Sequence, residues 1–574
     1  MGRLNALFIP NLEVSGIGST KINANGKIIG LPDIKTAYFD LKIKKIESSA
    51  NDINQFTPKG TIPQTITIPN KFATAGIFKG TMDHFTTNLN LVSTFGNAKI
   101  NATIDLRKKN QEKYNAKASF DNFDLGRLIK NNSIGKISLE TTVKGIGLNP
   151  KTANAAVNAL ILKADYNKYS YKNLKLIGNI ANGKFNAKAV AKDPNLTFDM
   201  ISSGSFQGKY PMGKINLNID IADLNKLNLH AEPMKIRGEL NADIQSADLD
   251  YLNGKISATN FVIANEKEQF VLDSINITAI TTKNKNILLV KSQFLNANID
   301  GKYKLSQIVK SVNNSFSKYY DTNKFRKFGV EKQQFAFKIN IKEDKILYKL
   351  IPELKSSSDI SFEGRYNSVN DSIVLKGSIP NLVYSDNSIS GASINIDTID
   401  NSLLYNVVID NIQNANFQLP YTGISGKIEN NTLDYALQLR DLKDKDRYFI
   451  AGTLKSIGGN SEINIIPKNL LLNYEAWNLS EENLIRFGKN GVYVSNFELS
   501  KASNAIKIIG ELKFNEVGFK VKKLNAQFKS MNDKIIFSDN TIALNNFGIK
   551  DEKDNDLNIN GKINTANLSN PEYF

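Results

Sequence analysis

Apolar and polar residues alternate one by one along most of this 574-residue chain, and this pattern limits the possible folds more than any other feature. In GKFNAKAVAKDPNLTFDMISSGSF, from Gly183 to Phe206, apolar side chains recur at every second position on both sides of a turn at Pro194. Successive side chains of a strand point to opposite faces, so this period predicts a hairpin with one apolar and one mostly polar face. No helical pattern nearby would cover the apolar face.

The same pattern recurs through the chain at about ten residues per strand. Each of several segments begins with a glycine, and apolar residues then alternate with Asn, Lys, Thr or Asp. These segments are Gly135–Leu148, Gly213–Leu224, Gly254–Ile263, Gly391–Ile399 and Gly561–Leu568. Helical periods are almost absent, so the strands do not belong to βαβ units. The sequence therefore predicts an all-β protein built on an antiparallel sheet whose two faces differ in polarity.

One segment, Tyr303–Gly329, has a different period. Apolar residues recur there at three- and four-residue steps, which predicts one face of an amphipathic helix. The residues of this face are Leu305, Ile308, Val309, Val312, Phe316, Tyr319 and Tyr320. Strand patterns continue on both sides, which favours a helix that plugs or caps the sheet interior over one that touches a membrane surface. The predicted organisation is sheet over residues 1–302, the helical segment over 303–329 and sheet again over 330–574.

The composition narrows the chemistry and the partners. The chain has two histidines and no cysteine, and the absence of cysteine excludes disulfides, thiolate zinc sites and cysteine nucleophiles. A formal charge of +17 favours acidic partners such as phospholipid headgroups, lipopolysaccharide or nucleic acid. The basic residues are spread along the strands, which favours a solvated face. Tyr and Lys in DYNKYSYKNLK (Asp165–Lys175) are ordinary on an exposed sheet, so no nucleic-acid partner is expected.

No sequence motif indicates catalysis. Phosphate-binding glycine loops, HExxH, GxSxG and CxxC are all absent from the sequence, so neither enzymatic activity nor a cofactor is expected. The acidic clusters Asp441–Asp446 and Asp551–Asp556 lack the spacing and the glycine of a calcium loop, which favours solvated turns and no metal site. Trp477 lies where the alternation lapses, and we predict that it anchors a local turn.

The function of the chain depends on what covers the apolar face of the sheet. A sheet with one apolar face curls around it, packs on another sheet, or binds something apolar, and alternation alone leaves a filled core and an open groove as alternatives. If the face lines a lipid groove, ten residues at the apolar positions of four consecutive strands form its floor. These residues are Leu174, Leu176, Phe185, Leu196, Phe198, Met200, Ile215, Leu217, Ile219 and Ile221.

Seven segments in this order resemble the TamB branch of the AsmA-like proteins, the translocation and assembly module family of Gram-negative envelopes. Each segment alone is a degenerate strand or helix pattern, and their order carries the resemblance over most of residues 80–520. The segments are Ser93–Leu106, Ala118–Ile129, Leu139–Thr152, Tyr169–Phe206, Leu305–Tyr320, Leu439–Leu454 and Leu470–Leu499.

The resemblance implies an elongated, curled antiparallel sheet with an apolar groove (a β-taco), held in the periplasm. It also implies two related roles: moving phospholipids between the inner and outer membranes, and helping to insert outer-membrane β-barrels. The first role suits a one-faced sheet better, because acyl chains can lie on apolar residues while headgroups stay in water. The expected partners are phospholipid acyl chains and an outer-membrane barrel protein.

Members of the family have an N-terminal membrane anchor and a characteristic C-terminal domain, and neither is visible here. MGRLNALFIPNLEV at the start does not resemble a signal peptide, and no stretch approaches the ~20 apolar residues of a membrane span. The chain is therefore expected to be the middle of such a protein, which in full length would be anchored to the inner membrane.

Two other interpretations stay open at this point. An assembly factor would offer sheet edges to client strands, and exposed, weakly charged terminal strands would favour it. An extracellular β-rich adhesin or glycan-active protein would be favoured by a strict repeat, a carboxylate pair in a polar cleft or calcium loops.

Overall fold

The computed structural model is all-β, and its strands are antiparallel, as the alternation predicts. The structure describes residues 5–34, 36–56, 64–265, 267–321, 329–415, 417–488 and 491–502, and from residue 504 onward the backbone of the strands given below. The chain divides into two units, Met1–Ile280 (unit 1) and Thr281–Phe574 (unit 2). This division falls before residue 302, where the sequence placed the end of the first sheet segment, and it leaves the predicted helix inside unit 2.

Unit 1 is a single antiparallel meander in which each strand pairs with the next one along the chain. The strands are β1 (Ala6–Ile17), β2 (Thr20–Ile29), β3 (Tyr38–Ser49), β4 (Lys71–Gly80), β5 (His84–Ser93), β6 (Gly96–Asp105), β7 (Lys113–Asp124), β8 (Ile134–Ile146), β9 (Asn154–Tyr166), β10 (Tyr169–Ala181), β11 (Lys184–Asp193), β12 (Leu196–Ser205), β13 (Met212–Asp223), β14 (Lys235–Ser246), β15 (Asn253–Ala264) and β16 (Gln269–Thr281).

Tight turns set the register of these strands. Asn182 and Gly183 join β10 to β11 with φ of 49° and 78°, the two positive angles that a two-residue hairpin turn needs. Asn tolerates the left-handed region better than most residues, and glycine enters it freely. The turn residues visible in the sequence therefore fix which side chains lie opposite one another on neighbouring strands.

Among the described residues of unit 1, two short helices interrupt the strands. The first is α1 (Ala50–Phe56), whose Asp52 is buried and accepts hydrogen bonds from the backbone and hydroxyl of Ser19 in the β1–β2 turn, at 2.9 and 2.6 Å. The second is α2 (Leu125–Ile129), where Asp124 accepts from the backbone of Arg127 as the N-terminal cap. A single 3-10 turn covers Leu249–Tyr251.

Unit 2 continues the antiparallel pattern with a few departures from sequential pairing. The strands are β17 (Asn286–Ser292), β18 (Leu295–Lys302), β19 (Gln334–Ile341), β20 (Leu354–Ser357), β21 (Ile360–Asn367), β22 (Ser372–Tyr384), β23 (Asn387–Ile399), β24 (Ser402–Gln413), β25 (Gln418–Glu429), β26 (Thr432–Arg440), β27 (Asp446–Ile457), β28 (Asn460–Leu472), β29 (Glu475–Ala476), β30 (Asn478–Leu479), β31 (Leu484–Gly488), β32 (Gly491–Lys501), β33 (Asn504–Asn515), β34 (Gly518–Phe528), β35 (Ile535–Ser538), β36 (Thr541–Lys550), β37 (Asp556–Asn564) and β38 (Glu572–Tyr573). In this unit β19 pairs with β21, β20 with β22, β28 with β31 and β30 with β32, and β35–β38 form a separate four-stranded sheet.

The helical segment predicted from the sequence forms a 3-10 turn at Leu305–Gln307 followed by α3 (Ile308–Tyr319). A one-turn helix, α4 (Leu347–Leu350), follows later in unit 2. Hydrophobic clusters of buried residues gather where helices meet strands. One contains Phe95, Phe123 and Ile137 under α2, and two lie along α3.

Candidate functional site

One face of the unit 1 sheet is apolar from strand to strand, because residues paired across neighbouring antiparallel strands point to the same side. We call this side the apolar face. Three rows cross its middle strands, and each residue in a row pairs with the next. The rows are Leu139–Ile161–Leu174–Ala191–Phe198–Ile219, Ala159–Leu176–Ala189–Met200–Leu217–Leu240–Ala258–Ile275 and Val157–Gly178–Ala187–Ser202–Ile215–Ala242–Ile256–Ile277.

The register places nine of the ten predicted floor residues on this face. Ile221 is the exception, because a β-bulge interrupts the pairing of β12 with β13. Phe198 pairs with Ile219, but beyond the bulge Thr197 pairs with Ile221 and Leu196 pairs with Ala222. Ala222 therefore continues the apolar face, and Ile221 lies on the opposite side of the sheet.

The large side chains of the apolar face are only partly shielded in its middle strands. In β9–β13 the fully buried apolar residues are alanines: Ala159, Ala191 and Ala222. Leu176, Met200 and Leu217 are half-buried, and Ile215 is 36% exposed. A close-packed core would bury leucine and methionine at least as deeply as alanine. Any function proposed for this face therefore has to account for the partial exposure of its large apolar side chains.

The opposite face of the same strands carries charges and amides. Lys188 pairs with Ile177 on one neighbouring strand and with Ile201 on the other. On the next strand, Asn216 pairs with Ile201 and Asn218 pairs with Asp199. Lysines and asparagines on this side are exposed, which keeps it in water. The two faces of the sheet thus differ in polarity, as the period-two pattern predicts.

Unit 2 has an equivalent apolar face. One of its rows runs Phe362–Gly377–Ile394–Val407–Ile424–Leu437–Ile450, and another runs Ile409–Thr422–Leu439–Tyr448–Leu472. At one end of these strands α3 packs on the face. Tyr319 of α3 and Tyr320, the residue after it, pack with Leu403 and Ile428, and Ile308 contacts the cluster of Tyr303, Phe335 and Tyr366.

Buried hydrogen bonds hold α3 in place. The hydroxyl of Tyr366 lies 2.8 Å from the Oγ of Ser311 and 2.9 Å from that of Ser315, and Ser315 donates to Oδ1 of Asp371 at 2.7 Å. Ser311, Ser315 and Tyr319 are each at most 2% exposed. Burial raises the pKa of Tyr303 to about 12 and also raises that of Tyr319, so both phenols stay protonated at neutral pH.

Tyr319 connects two turns that are far apart along the sheet. Its hydroxyl donates to the backbone oxygen of Asp371 in the β21–β22 turn at 2.7 Å, and its backbone oxygen accepts from Asn431 in the β25–β26 turn at 2.9 Å. Four strand spacings, roughly 19 Å on a flat sheet, separate these turns. One tyrosine with a hydrogen bond at each end spans less than that. The ends of β22–β26 therefore converge around Tyr319, on the side of the apolar face.

The sequence patterns did not reveal Tyr366 and Asp371 as the hydrogen-bond partners of the helix. The available signal was the spacing of Ser311 and Ser315, which are four residues apart and share one side of the helix. Polar residues at such positions require polar partners when they are buried. Most of the predicted apolar face does pack in the clusters along α3, including Ile308 and Val312, whereas Val309 is 74% exposed.

The acidic cluster at residues 441–446 is a charged turn. Asp444 and Asp446 pair with Arg440, each at 3.0 Å, and Asp441 accepts from the backbone of Lys443 and Lys445. In the second cluster, residues 551–555 lie outside the described residues. In the described part of the chain, no group of three or more His, Asp or Glu side chains is placed to hold a metal ion.

Trp477 follows the small β28–β29 hairpin, and its backbone N–H donates to Leu470 at 3.1 Å. Its indole Nε1 is buried without a hydrogen-bond partner among the described residues. The proposed anchoring role of Trp477 stays a prediction.

No family profile, curated protein or solved structure matches the chain. The resemblance to the TamB branch therefore rests on the order of the sequence segments alone. Among the described residues, no helix is both long enough and apolar enough to cross a membrane.

Proposed function

We propose that the chain is a periplasmic conduit that carries phospholipids between the inner and outer membranes of a Gram-negative envelope, with acyl chains lying on the apolar face. The observation that supports this is the series of mostly apolar rows across unit 1, whose large side chains are only half-buried in the middle strands. An apolar surface of this extent in water needs an apolar partner. The compartment and the two membranes come from the family resemblance.

The energetics suit transport as well as binding. Each buried methylene of an acyl chain contributes about 0.8 kcal/mol, so one chain along several rows is held firmly. Successive rows have similar composition, so moving by one row exchanges one apolar contact for another and changes the binding free energy little. Ala187 and Ala189 of β11 are small and only partly buried, so they leave more room on the face than leucine or phenylalanine would.

Photo-crosslinking tests the conduit. A photoreactive amino acid at Met200, which pairs with Leu217 across β12 and β13, is illuminated in purified protein incubated with vesicles of phosphatidylethanolamine and phosphatidylglycerol. We expect lipid adducts by mass spectrometry in the parent protein. Leu217→Arg should reduce them several-fold and leave the circular dichroism melt unchanged, because the guanidinium can reach solvent from a half-buried site. The matched control is Asn216→Arg on the opposite, exposed face.

Two results would reject the conduit. One is a parent protein that forms no lipid adduct at Met200 or at other positions of the apolar face. The other is regional unfolding by Leu217→Arg, which would mean that the face is the interior of an ordinary packed core.

A second candidate function is assembly of outer-membrane β-barrel proteins, and one observation favours it. Among the described residues, the only strand that pairs with β1 is β2, and Glu13 is the only charged residue in the twelve of β1. Phe8 on this strand is 63% exposed. A long, weakly charged edge can accept a further strand.

Cysteine crosslinking tests this second function cleanly, because the chain has no cysteine of its own. Ser15→Cys on β1 should form disulfides with single-cysteine variants of an unfolded outer-membrane barrel protein. The disulfide yield should alternate between successive cysteine positions along the barrel strand. Ser203→Cys on the interior strand β12 is the control. Equal crosslinking at both positions would exclude strand addition at β1.

A further inference from the structure

A pocket of about 330 Å³ lies at the end of the unit 2 strands that is opposite to α3. The loop between β26 and β27 forms one wall, and the start of β25 forms another. The residues that line it are Gln418, Leu419, Pro420, Leu439, Arg440, Asp441, Leu442, Lys443, Arg447 and Tyr448. Its size is at the lower end of the range for small-molecule sites.

The lining combines positive charge with apolar surface. Arg440, Lys443 and Arg447 face one carboxylate, that of Asp441. That carboxylate already accepts from the backbone N–H groups of Lys443 and Lys445, at 2.8 and 3.0 Å, and from the hydroxyl of Tyr474 at 2.9 Å. Asp441 thus stabilises its own loop. Because Arg440 is paired with Asp444 and Asp446, the positive charge of the lining comes from Lys443 and Arg447.

The two arginines have different surroundings. Arg440 is paired with Asp444 and Asp446 and lies over the ring of Tyr421, its Cζ 4.4 Å from the ring centroid. Arg447 takes no part in the ion pairs between described residues, and its Nε donates to Oδ1 of Asn473 at 3.2 Å.

The guanidinium of Arg447 is also held by aromatic rings. Its Cζ lies 5.4 Å from the ring centroid of Tyr448 and 5.8 Å from that of Tyr474. The hydrogen bond from Nε and these two rings orient the side chain, and its two terminal nitrogens make no hydrogen bond or ion pair with another described residue. A planar fork of this kind suits a phosphate group.

The pocket is continuous with the apolar face of unit 2. Leu439 and Tyr448 pair with each other across β26 and β27, and both belong to the row that begins at Ile409. The same two residues line the pocket. Leu442, at the tip of the loop, is 79% exposed and adds apolar surface at the mouth. A ligand seated here would have an anionic end beside Arg447 and an apolar end on the face.

We propose that this pocket binds the phosphate-bearing headgroup of an anionic phospholipid, with Arg447 and Lys443 on the phosphate and the first acyl carbons against Leu439 and Tyr448. This inference rests on the proposed lipid-conduit function, and it adds the site and the headgroup class that unit 2 recognises. Arg440 serves to shape the loop, and Arg447 contacts the ligand.

Calorimetric titration with three probes tests the site. Dihexanoylphosphatidylglycerol below its micelle concentration carries both chains and phosphate, dihexanoylglycerol carries the chains alone, and inorganic phosphate carries the anion alone. We expect the first to bind at least tenfold more tightly than either of the others. Arg447→Gln should weaken the first probe about tenfold and leave dihexanoylglycerol unchanged. Lys188→Gln, which removes an exposed lysine from unit 1, is the control.

The outcomes separate this inference from the conduit itself. If lipid crosslinks to Met200 but Arg447→Gln binds phosphatidylglycerol as tightly as the parent, the headgroup site is wrong and the conduit stands. If inorganic phosphate binds as tightly as the phospholipid, the pocket is a plain anion site and the inference fails. If neither dihexanoylphosphatidylglycerol nor dihexanoylglycerol binds, and the photoreactive residue at position 200 yields no lipid adduct, both proposals fail. Circular dichroism of Arg447→Gln checks that the fold is kept.

Discussion

Tyr366 and Ser315 meet in a fully buried contact, with the tyrosine hydroxyl 2.9 Å from the serine Oγ. Because the same hydroxyl also lies 2.8 Å from Ser311, one phenol connects two successive turns of α3 to the sheet. The position of α3 on the apolar face of unit 2 therefore depends on hydrogen bonds as well as on apolar contacts.

Tyr366→Phe tests this dependence. The change leaves Ser311 without its partner in a buried site, which costs about 1–3 kcal/mol. The amides of α3 should then exchange with solvent roughly tenfold faster or more, since each ~1.4 kcal/mol is a factor of ten. Hydrogen-exchange mass spectrometry measures this for α3 directly. Tyr384→Phe, at a tyrosine that is 48% exposed, should change nothing. Unchanged exchange in Tyr366→Phe would mean that apolar packing alone holds the helix.

Gly76 and Gly178 provide a second test, because both lie on the apolar face but differ in backbone geometry. Gly76 has φ of +146°, and a Cβ there would lie 1.9 Å from the backbone oxygen of Asn88. At Gly178 the nearest atom to such a Cβ is 3.4 Å away, an ordinary contact. Gly76→Ala should force β4 and β5 apart and lower the melting temperature, whereas Gly178→Ala should be tolerated. Equal melting curves would contradict the close approach of β4 and β5.

Asp52 predicts a pH dependence local to α1 and the β1–β2 turn. Hydrogen bonds, first of all from the hydroxyl of Ser19, hold the pKa of Asp52 below its usual range. A lowered folded pKa adds stability above the unfolded pKa of about 3.9, and this stability is lost as the pH falls through the folded value. Protection of the α1 amides, corrected for intrinsic exchange, should therefore be constant from about pH 7 to 5 and fall toward pH 3.

The comparison with Asp52→Asn isolates the carboxylate. This variant should show weaker protection of α1 at neutral pH and little further loss in acid, because it has no charge to neutralise. Asp199→Asn, at an exposed position on the polar face, should keep the parent's profile. A parent-like acid transition in Asp52→Asn would assign the pH dependence to another group.

The period of two in the sequence was enough to predict the all-β fold, the antiparallel pairing and the two unlike faces, because burial of one face repeats at every strand. The period of three to four was enough to predict a helix within 303–329. The second period also placed Ile308, Val312 and Tyr319 on the side of α3 that packs against the sheet. Neither period could show the buried hydrogen bonds on that side. Their partners Tyr366 and Asp371 lie more than fifty residues away in the chain and meet Ser311 and Ser315 only in the folded protein.

The register at Ile221 is a second feature that the sequence could not reveal. Apolar and polar residues alternate without a break from Ile215 to Ile221, so nothing marks the bulge. The shift occurs where β13 enters its loop. There Asp223 is buried and accepts from the backbone of Lys226, and Leu227 is 1% exposed. The backbone N–H of Asp223 also donates to Asn195 at 2.9 Å, and that of Leu224 donates to Met234 at 2.7 Å. These contacts accompany a strand end that is one residue out of phase with its alternation.

The bulge makes a prediction that alternation alone contradicts. Ile219 pairs with Phe198 on the apolar face, and Ile221 pairs with Thr197 on the other side. With the photoreactive residue at Met200, Ile219→Arg should therefore reduce lipid adducts several-fold, while Ile221→Arg should leave them at the parent level. Both isoleucines are half-buried, and the two variants insert the same charge two residues apart, so each controls for the other. If both variants lose lipid equally while staying folded by circular dichroism, the strand continues in phase through Ile221 and the bulge is absent in solution.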